Sequence, residues 1–355
     1  MLKFSATTCK QLTKVLIDWY HHHKRDLPWR HTRNPYHILV SEVMLQQTRV
    51  TTVIPYYEKF LSHFPTLESL ASAPEQSLLR IWSGLGYYRR VRYLQAAARQ
   101  IISKWNSQFP KEYHDLQTLP GFGEYTAAAV SSIAFGHKHA AVDGNVLRVL
   151  TRLVNEKGNV KKTAIRRKLN FAAQSLVSSV GPRSAGTWNQ ALMELGATVC
   201  TPQNPSCNLC PLKQWCSSVK AGTQCIRPVK VRPHKKEKMV TSVIVCTKNE
   251  QFLMRQRPEK SKIMPGFWEL PEVEGQLLCE TDLHEWGMKQ LRRLSSFSHG
   301  ITSRIYDVNV YIAASKGKPL RSFHWVPQGK LSTIPLTTIT RKTLAILESI
   351  SPEGR

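Results

Sequence analysis

Apolar residues recur at three- and four-residue spacing through most of the first two hundred positions. That pattern predicts helices over 8–20, 36–48, 88–103, 124–135, 161–179 and 184–197, punctuated by prolines and glycines. Further along, the period changes. Residues 240–256 alternate as two strands about a polar turn and 303–313 alternate again, while 281–293 and 338–350 return to helical spacing. The chain therefore reads as an all-helical region followed by a small α+β domain. Between them Arg227–Lys238 (RPVKVRPHKKEK) holds six Lys or Arg, one Glu and two prolines, which cannot bury a core and reads as a basic linker over 227–239.

Charge narrows the partner. The 355 residues include 50 Lys and Arg against 24 Asp and Glu, a formal net charge of +26. Such an excess points to a polyanion, and phosphate neutralisation makes nucleic acid the first choice over a membrane surface. No run of about 18 uninterrupted apolar residues is present to span a bilayer. No charged-then-apolar signal segment opens the chain, which predicts a cytoplasmic protein.

Four cysteines, Cys200, Cys207, Cys210 and Cys216, follow the last predicted helix as C-x6-C-x2-C-x5-C. Thiolates this close can converge on a cubane iron–sulfur cluster or on a tetrahedral zinc. Two disulfides would need an oxidising compartment, for which the sequence carries no signal. Zinc ribbons pair two short knuckles across a longer gap, so a single knuckle flanked by lone cysteines favours iron–sulfur. Cys9, Cys225, Cys246 and Cys279 are scattered and read as structural or incidental.

Other residues carry candidate chemistry. In LQTLPGFGEYTAAAVSSIAFG (116–136), Gly121 and Gly123 permit close backbone approach, and the free amides of the helix that follows can hold a phosphate oxygen. Asp143 stands at a predicted helix start before Gly144 and Asn145, where an ordinary N-cap is the plainer role. Glu42 sits in the apolar and amide-bearing stretch SEVMLQQT, where burial would raise its pKa. Two carboxylates in unlike environments are the usual equipment for cleaving a glycosidic bond.

The ordered set LPWR (27–30), SEVMLQQT (41–48), GLGYY (84–88), LPGFGEYTA (119–127), VDGNVLRV (142–149), NQALMELGA (189–197) and the cysteine loop resembles the MutY-type adenine DNA glycosylases of the helix–hairpin–helix superfamily, across about 27–216. The last domain is similar to that family's Nudix-like recognition domain through RQRPEKSKIMPGFWELP (255–271) and Phe297-Ser298-His299, and lacks the acidic core of a Nudix hydrolase. The resemblance implies a mostly α helix–hairpin–helix fold over 1–226, in a six-helix barrel-like part and a cluster part with its loop at 200–216. After the linker it implies a separate α+β Nudix-like domain over 240–355.

The implied substrate is adenine opposite 8-oxoguanine or guanine in double-stranded DNA, extruded and removed hydrolytically to leave an abasic site. Carried onto this chain, the resemblance makes Glu42 the acid that protonates adenine and Asp143 the stabiliser of the cationic sugar. Asn145 and Tyr125 would hold Asp143 and the sugar, and Trp29, Arg30 and Gln190 would line the base pocket, Gln190 replacing a glutamate of some relatives. Gln47 and Tyr87 would enter the duplex, with Tyr88 competing for that role. Phe297, Ser298 and His299 would form a loop that reads 8-oxoguanine. Tyr125 stands where endonuclease III-like relatives carry a lysine, which implies base removal without strand scission. A [4Fe-4S] cluster in the cysteine loop and a monovalent cation at the hairpin are the implied cofactors, in a bacterial, nucleoid-associated monomer. Competing readings are a related glycosylase with lyase activity and another base specificity, a noncatalytic DNA-binding protein, and a metal-stabilised RNA-binding protein.

Overall fold

The computed structural model describes residues 4–181, 183–229, 236–261, 263–276, 286–301, 304–316 and 322–350. Contacts divide the chain into two compact units, Met1–Ser72 with Arg89–Arg232, and Ala73–Tyr88 with Pro233–Arg355.

The first unit is helical. Its elements are α1 (Ala6–His23), α2 (Pro35–Leu45), α3 (Val50–His63), α4 (Leu67–Ser72), α6 (Arg89–Trp105), α7 (Tyr113–Gln117), α8 (Glu124–Phe135), α9 (Gly144–Leu153), α10 (Thr163–Ser178), α11 (Ala185–Thr198) and the short α12 (Ser217–Lys220). Helix α5 (Glu75–Trp82) groups with the second unit. Each helix predicted in this unit forms. On α1, Ser5 caps the first turn by accepting from the Thr8 amide, and Leu12, Leu16 and Tyr20 bury one stripe at four-residue spacing. The helix expected over 36–48 stops at Leu45, because Arg90 donates to the carbonyls of Val43, Met44 and Gln46 and Gln47 turns to φ 58°.

Small residues set the distances between the helices that carry the site. Ala127, Ala128 and Ala129 of α8 are buried. A Cβ on Gly186 of α11 would lie 2.6 Å from the Ser132 carbonyl oxygen of α8, and one on Gly196 would lie 2.7 Å from Asn145 Cβ of α9. Helices α8, α9 and α11 therefore approach at backbone range.

The second unit holds one mixed sheet ordered β3-β2-β1-β6-β5, with β4 paired to β1 and β7 to β2. Its strands are β1 (Glu237–Lys248), β2 (Gln251–Gln256), β3 (Trp268–Glu269), β4 (Glu272–Glu274), β5 (Met288–Ile301), β6 (Arg304–Ser315) and β7 (His324–Pro327), and α13 (Thr338–Ile350) closes the chain. The expected strand pair over 240–256 forms, turning at Asn249 and Glu250 with φ 49° and 55°, values that suit a tight hairpin. Strand β1 runs parallel to β6 and its alternation splits the core: Val243 and Val245 pack with Leu344 of α13, Ile244 and Cys246 with Phe323.

Two expectations change. The helix read over 281–293 is not formed where the structure describes it, since Met288 opens β5, a long strand paired antiparallel with β6; residues 281–285 lie outside the described residues. Cross-strand pairing overrides the local helical spacing there. At the linker, β1 already begins at Glu237, and Arg227 is tied to the helical unit through its Nε to Asn155 Oδ1 (3.0 Å); residues 230–235 lie outside the described residues.

The hairpin before α8 yields a contrast. Gly121 has φ +80° and an added Cβ would stand 2.7 Å from Tyr93 Cβ, whereas Gly123 has open space around it. Gly121→Ala should cost about 2 kcal/mol of stability, and Gly123→Ala distinctly less. Chemical denaturation checks this, and equal costs would contradict it.

Candidate active site and cysteine loop

A cavity of about 650 Å3 opens in the helical unit and is lined by Glu42, Asp143, Tyr125 and Asn145 together with Trp29, Arg30, Gln47, Gly121, Gly123 and Gln190. Five segments distant in sequence, 29–30, 42–47, 121–125, 143–145 and 190, thus supply one concave site. Glu42 projects from the buried stretch of α2 and is 5% exposed. Tyr125, on the first turn of α8, donates its hydroxyl to Glu42 Oε2 at 2.5 Å. Burial pushes the Glu42 carboxyl up to about 7; the Tyr125 hydrogen bond opposes this, the Asp143 charge adds to it, and Arg30 opposes it. Burial, followed by the charges of Glu42 and Asp143, raises the Tyr125 phenol well above its ordinary range.

Asp143 is the N-cap of α9 and accepts from the Val146 amide (2.7 Å) and from Asn145 Nδ2 (3.0 Å). The capping role and the candidate catalytic role therefore coincide in one side chain. Burial raises its pKa against these hydrogen bonds, which favour the charged form. Arg148 extends the chain of contacts, donating to Asn145 Oδ1 (2.9 Å) and to the carbonyls of Gly196 and Cys200. Asn145 thus stands against both Asp143 and Arg148. The Tyr125 hydroxyl serves Glu42.

The sequence reading passed over Glu194. It lines the cavity from α11, is fully buried, and accepts from Arg25 Nε and Nη2 (2.8 Å each), the Arg25 amide (3.0 Å) and Arg30 Nη2 (2.7 Å). Burial alone would raise its pKa, but the hydrogen bonds and charges of the two arginines hold it down to about 2. A lone acid in the apolar stretch NQALMELGA is the same signal that singled out Glu42. Trp29 is buried edge-on against Tyr57, with ring centres 5.4 Å apart.

Gln47 is exposed at the cavity rim. Tyr87 is 49% exposed with φ 48°, while Tyr88 is buried and its hydroxyl accepts from the Gly84 amide, so Tyr87 is the tyrosine that faces solvent. Phe297, Ser298 and His299 lie within strand β5, opposite Val308, Asp307 and Tyr306, and not in a loop. Strand alternation sends Ser298 to the face opposite Phe297 and His299. Phe297 packs into the core beneath Lys342, Ser298 is exposed, and burial, with Lys342 nearby, lowers the His299 pKa.

The four cysteines line a second, apolar pocket with Leu195, Leu212 and Arg152, whose Nη1 donates to Cys200 Sγ at 3.2 Å. Burial pushes the Cys210 thiol up to about 12 and raises those of Cys207 and Cys216. Among the described residues no three His, Cys, Asp or Glu side chains stand close enough to share one metal ion. Four soft donors around one pocket are the donor set of a polynuclear iron–sulfur cluster or of a tetrahedral zinc. Lys213 in the cysteine loop is exposed and donates to Asn208 Oδ1.

A model of the HhH-GPD superfamily of base excision DNA repair proteins matches residues 40–174, and a NUDIX domain model matches 241–345. A human adenine DNA glycosylase is 33% identical across 95% of this chain and 74% of its own length. The adenine DNA glycosylase of Buchnera aphidicola subsp. Baizongia pistaciae is 34% identical across 85% of this chain and 86% of its own. A thermostable thymine-DNA glycosylase superposes with a TM-score of 0.55 at 30% identity, covering 61% of this chain and all of that one. The chain belongs to the adenine DNA glycosylase family of helix–hairpin–helix base-excision repair proteins. No described helix is long and apolar enough to cross a membrane.

Removing Glu194 would leave two guanidiniums facing one another at a buried wall. Glu194→Ala should cost about 3 kcal/mol in chemical denaturation, less than a wholly buried pair because Arg25 is partly exposed. A loss below about 0.5 kcal/mol would contradict this account.

Proposed function

We propose that this protein is an adenine DNA glycosylase that extrudes adenine paired with 8-oxoguanine or guanine and hydrolyses its N-glycosidic bond, leaving an abasic site. The observation that carries the reading is the pairing of Glu42, held near neutrality, with the hydrogen-bonded Asp143 in one cavity. The bond is out of reach in stacked DNA, so the base must enter the cavity. Glu42, protonated, donates to a ring nitrogen of adenine as the bond between sugar and base breaks, and the electron pair leaves with the base. Asp143 offsets the positive charge developing on the sugar. The Glu42 carboxylate then takes a proton from the water that adds to the sugar carbon. Tyr125 holds the Glu42 carboxyl and carries no amine able to form a Schiff base, which supports base removal without strand scission.

Trp29, Arg30 and Gln190 bind the base. Gln47 and Tyr87 fill the duplex, and Gly121 and Gly123 present the amides of α8 to a phosphate, with a monovalent cation at the turn. Ser298, exposed on β5, reads the oxidised base, with Phe297 and His299 on the other face fixing the strand. Cys200, Cys207, Cys210 and Cys216 hold a [4Fe-4S] cluster, which orders the loop and places its basic residues against DNA.

The test is release of adenine from an 8-oxoguanine:adenine duplex, with strand breaks appearing only after alkali. Glu42→Gln keeps the shape and the Tyr125 contact but has no proton to give, so release should fall at least a thousandfold while duplex binding persists. Because the neutral form is the active one and its pKa is raised, the wild-type rate should decline as pH rises through about 7. Near-normal turnover by Glu42→Gln, or a rate flat through that range, would remove Glu42 from this role. For the cluster, anaerobically purified protein should be brown and contain iron. A colourless, folded, zinc-loaded preparation would overturn that assignment.

A further inference from the structure

Tyr20 is buried on α1, behind the cavity wall, yet its hydroxyl donates to Gln190 Oε1 at 3.2 Å. Gln190 lines the cavity from α11, and its Nε2 donates to the Gly186 carbonyl one turn earlier at 3.4 Å. A carbonyl only accepts, so the amide nitrogen must face Gly186 and the oxygen must face Tyr20. The amide is thereby held in one of its two orientations by a bond at each end. Arg30 braces Tyr20 in turn: its guanidinium lies 5.3 Å from the ring centre, and Glu194 Oε2 and the Arg25 carbonyl hold it there.

Both anchored atoms keep spare capacity, a second lone pair on the oxygen and a second hydrogen on the nitrogen. An acceptor beside a donor matches an exocyclic amine beside a ring nitrogen, the pattern through which glutamine pairs with adenine. A 6-oxopurine places an acceptor where that amine stands and would meet Oε1 lone pair to lone pair. A freely rotating amide could turn over and accommodate either base. We propose that Tyr20 is a specificity-determining positioning residue, whose hydroxyl locks the Gln190 amide so that the pocket selects a 6-aminopurine over a 6-oxopurine. The inference rests on the glycosylase reading above.

Tyr20→Phe removes the hydroxyl alone and keeps the ring against Arg30. Single-turnover release is measured from duplexes carrying adenine or hypoxanthine opposite 8-oxoguanine, with wild-type protein, Tyr20→Phe, Gln190→Ala and the double variant. The adenine-to-hypoxanthine rate ratio should fall roughly tenfold in Tyr20→Phe, the scale of one hydrogen bond to the base. Gln190→Ala should lower it at least as far, and the double variant no further than Gln190→Ala, because both changes act through one amide. An unchanged ratio in either single variant, equal loss on both bases, or an additional drop in the double variant would overturn the proposal. In those cases adenine release by the wild-type protein leaves the glycosylase reading standing; if the wild type releases no adenine, that reading falls and this one with it.

Discussion

A carboxylic acid kept away from water is the constraint around which the helical unit is arranged. Glu42 lies in a stretch of α2 whose neighbours Leu39, Val40, Val43 and Met44 are all buried, and a hydroxyl from α8 reaches it. Keeping that hydroxyl in range requires α2 to end on time and α8 to pack closely. The carbonyls capped by Arg90 supply the first condition, and the alanines of α8 supply the second. Burial is a cost that depends on pH. With the folded pKa near 7 and the ordinary value at 4.5, the stability associated with the neutral form is fully present below 4.5 and is lost as pH rises through about 7. The molecule gives up stability at neutral pH to hold a proton where a leaving group needs it.

Two acids in the cavity show how neighbours decide the outcome. Glu42 and Glu194 are both buried glutamates on helices, but Glu194 accepts from two arginines and stays charged, whereas Glu42 has a phenol at hydrogen-bonding distance and a second carboxylate in the same cavity. Asp143 stands between these cases, half-buried but held by an amide and by Asn145. One wall is therefore fixed by charge, and the other is left able to exchange a proton.

Much of this was legible in the sequence, and for identifiable reasons. The helices announced themselves because their apolar stripes face a core, and the glycines of LPGFG marked the turn because only glycine takes φ +80° against Tyr93. Glu42 and Asp143 stood out as acids in unusual settings. What spacing could not give was partnership across the chain. That Tyr125 serves Glu42, that Glu194 anchors Arg25 and Arg30, and that Tyr20 reaches Gln190 170 positions away depend on how helices cross, which no local pattern records. The same limit explains residues 288–293, whose helical spacing gave way to pairing with β6, and the Phe297-Ser298-His299 triplet, whose strand setting separates two side chains expected to act together.

The central claim is that the Glu42 carboxyl is neutral in a large share of molecules at physiological pH, and it can be read directly. Selective carbon-13 labelling of glutamate side chains, with Glu42 assigned by comparison with Glu42→Gln, allows its carboxyl signal to be followed through a pH titration of the folded protein. A midpoint near 7 is predicted, well above the ordinary 4.5. A midpoint at or below 4.5 would mean that Glu42 is already ionised when the protein works, and would contradict the account.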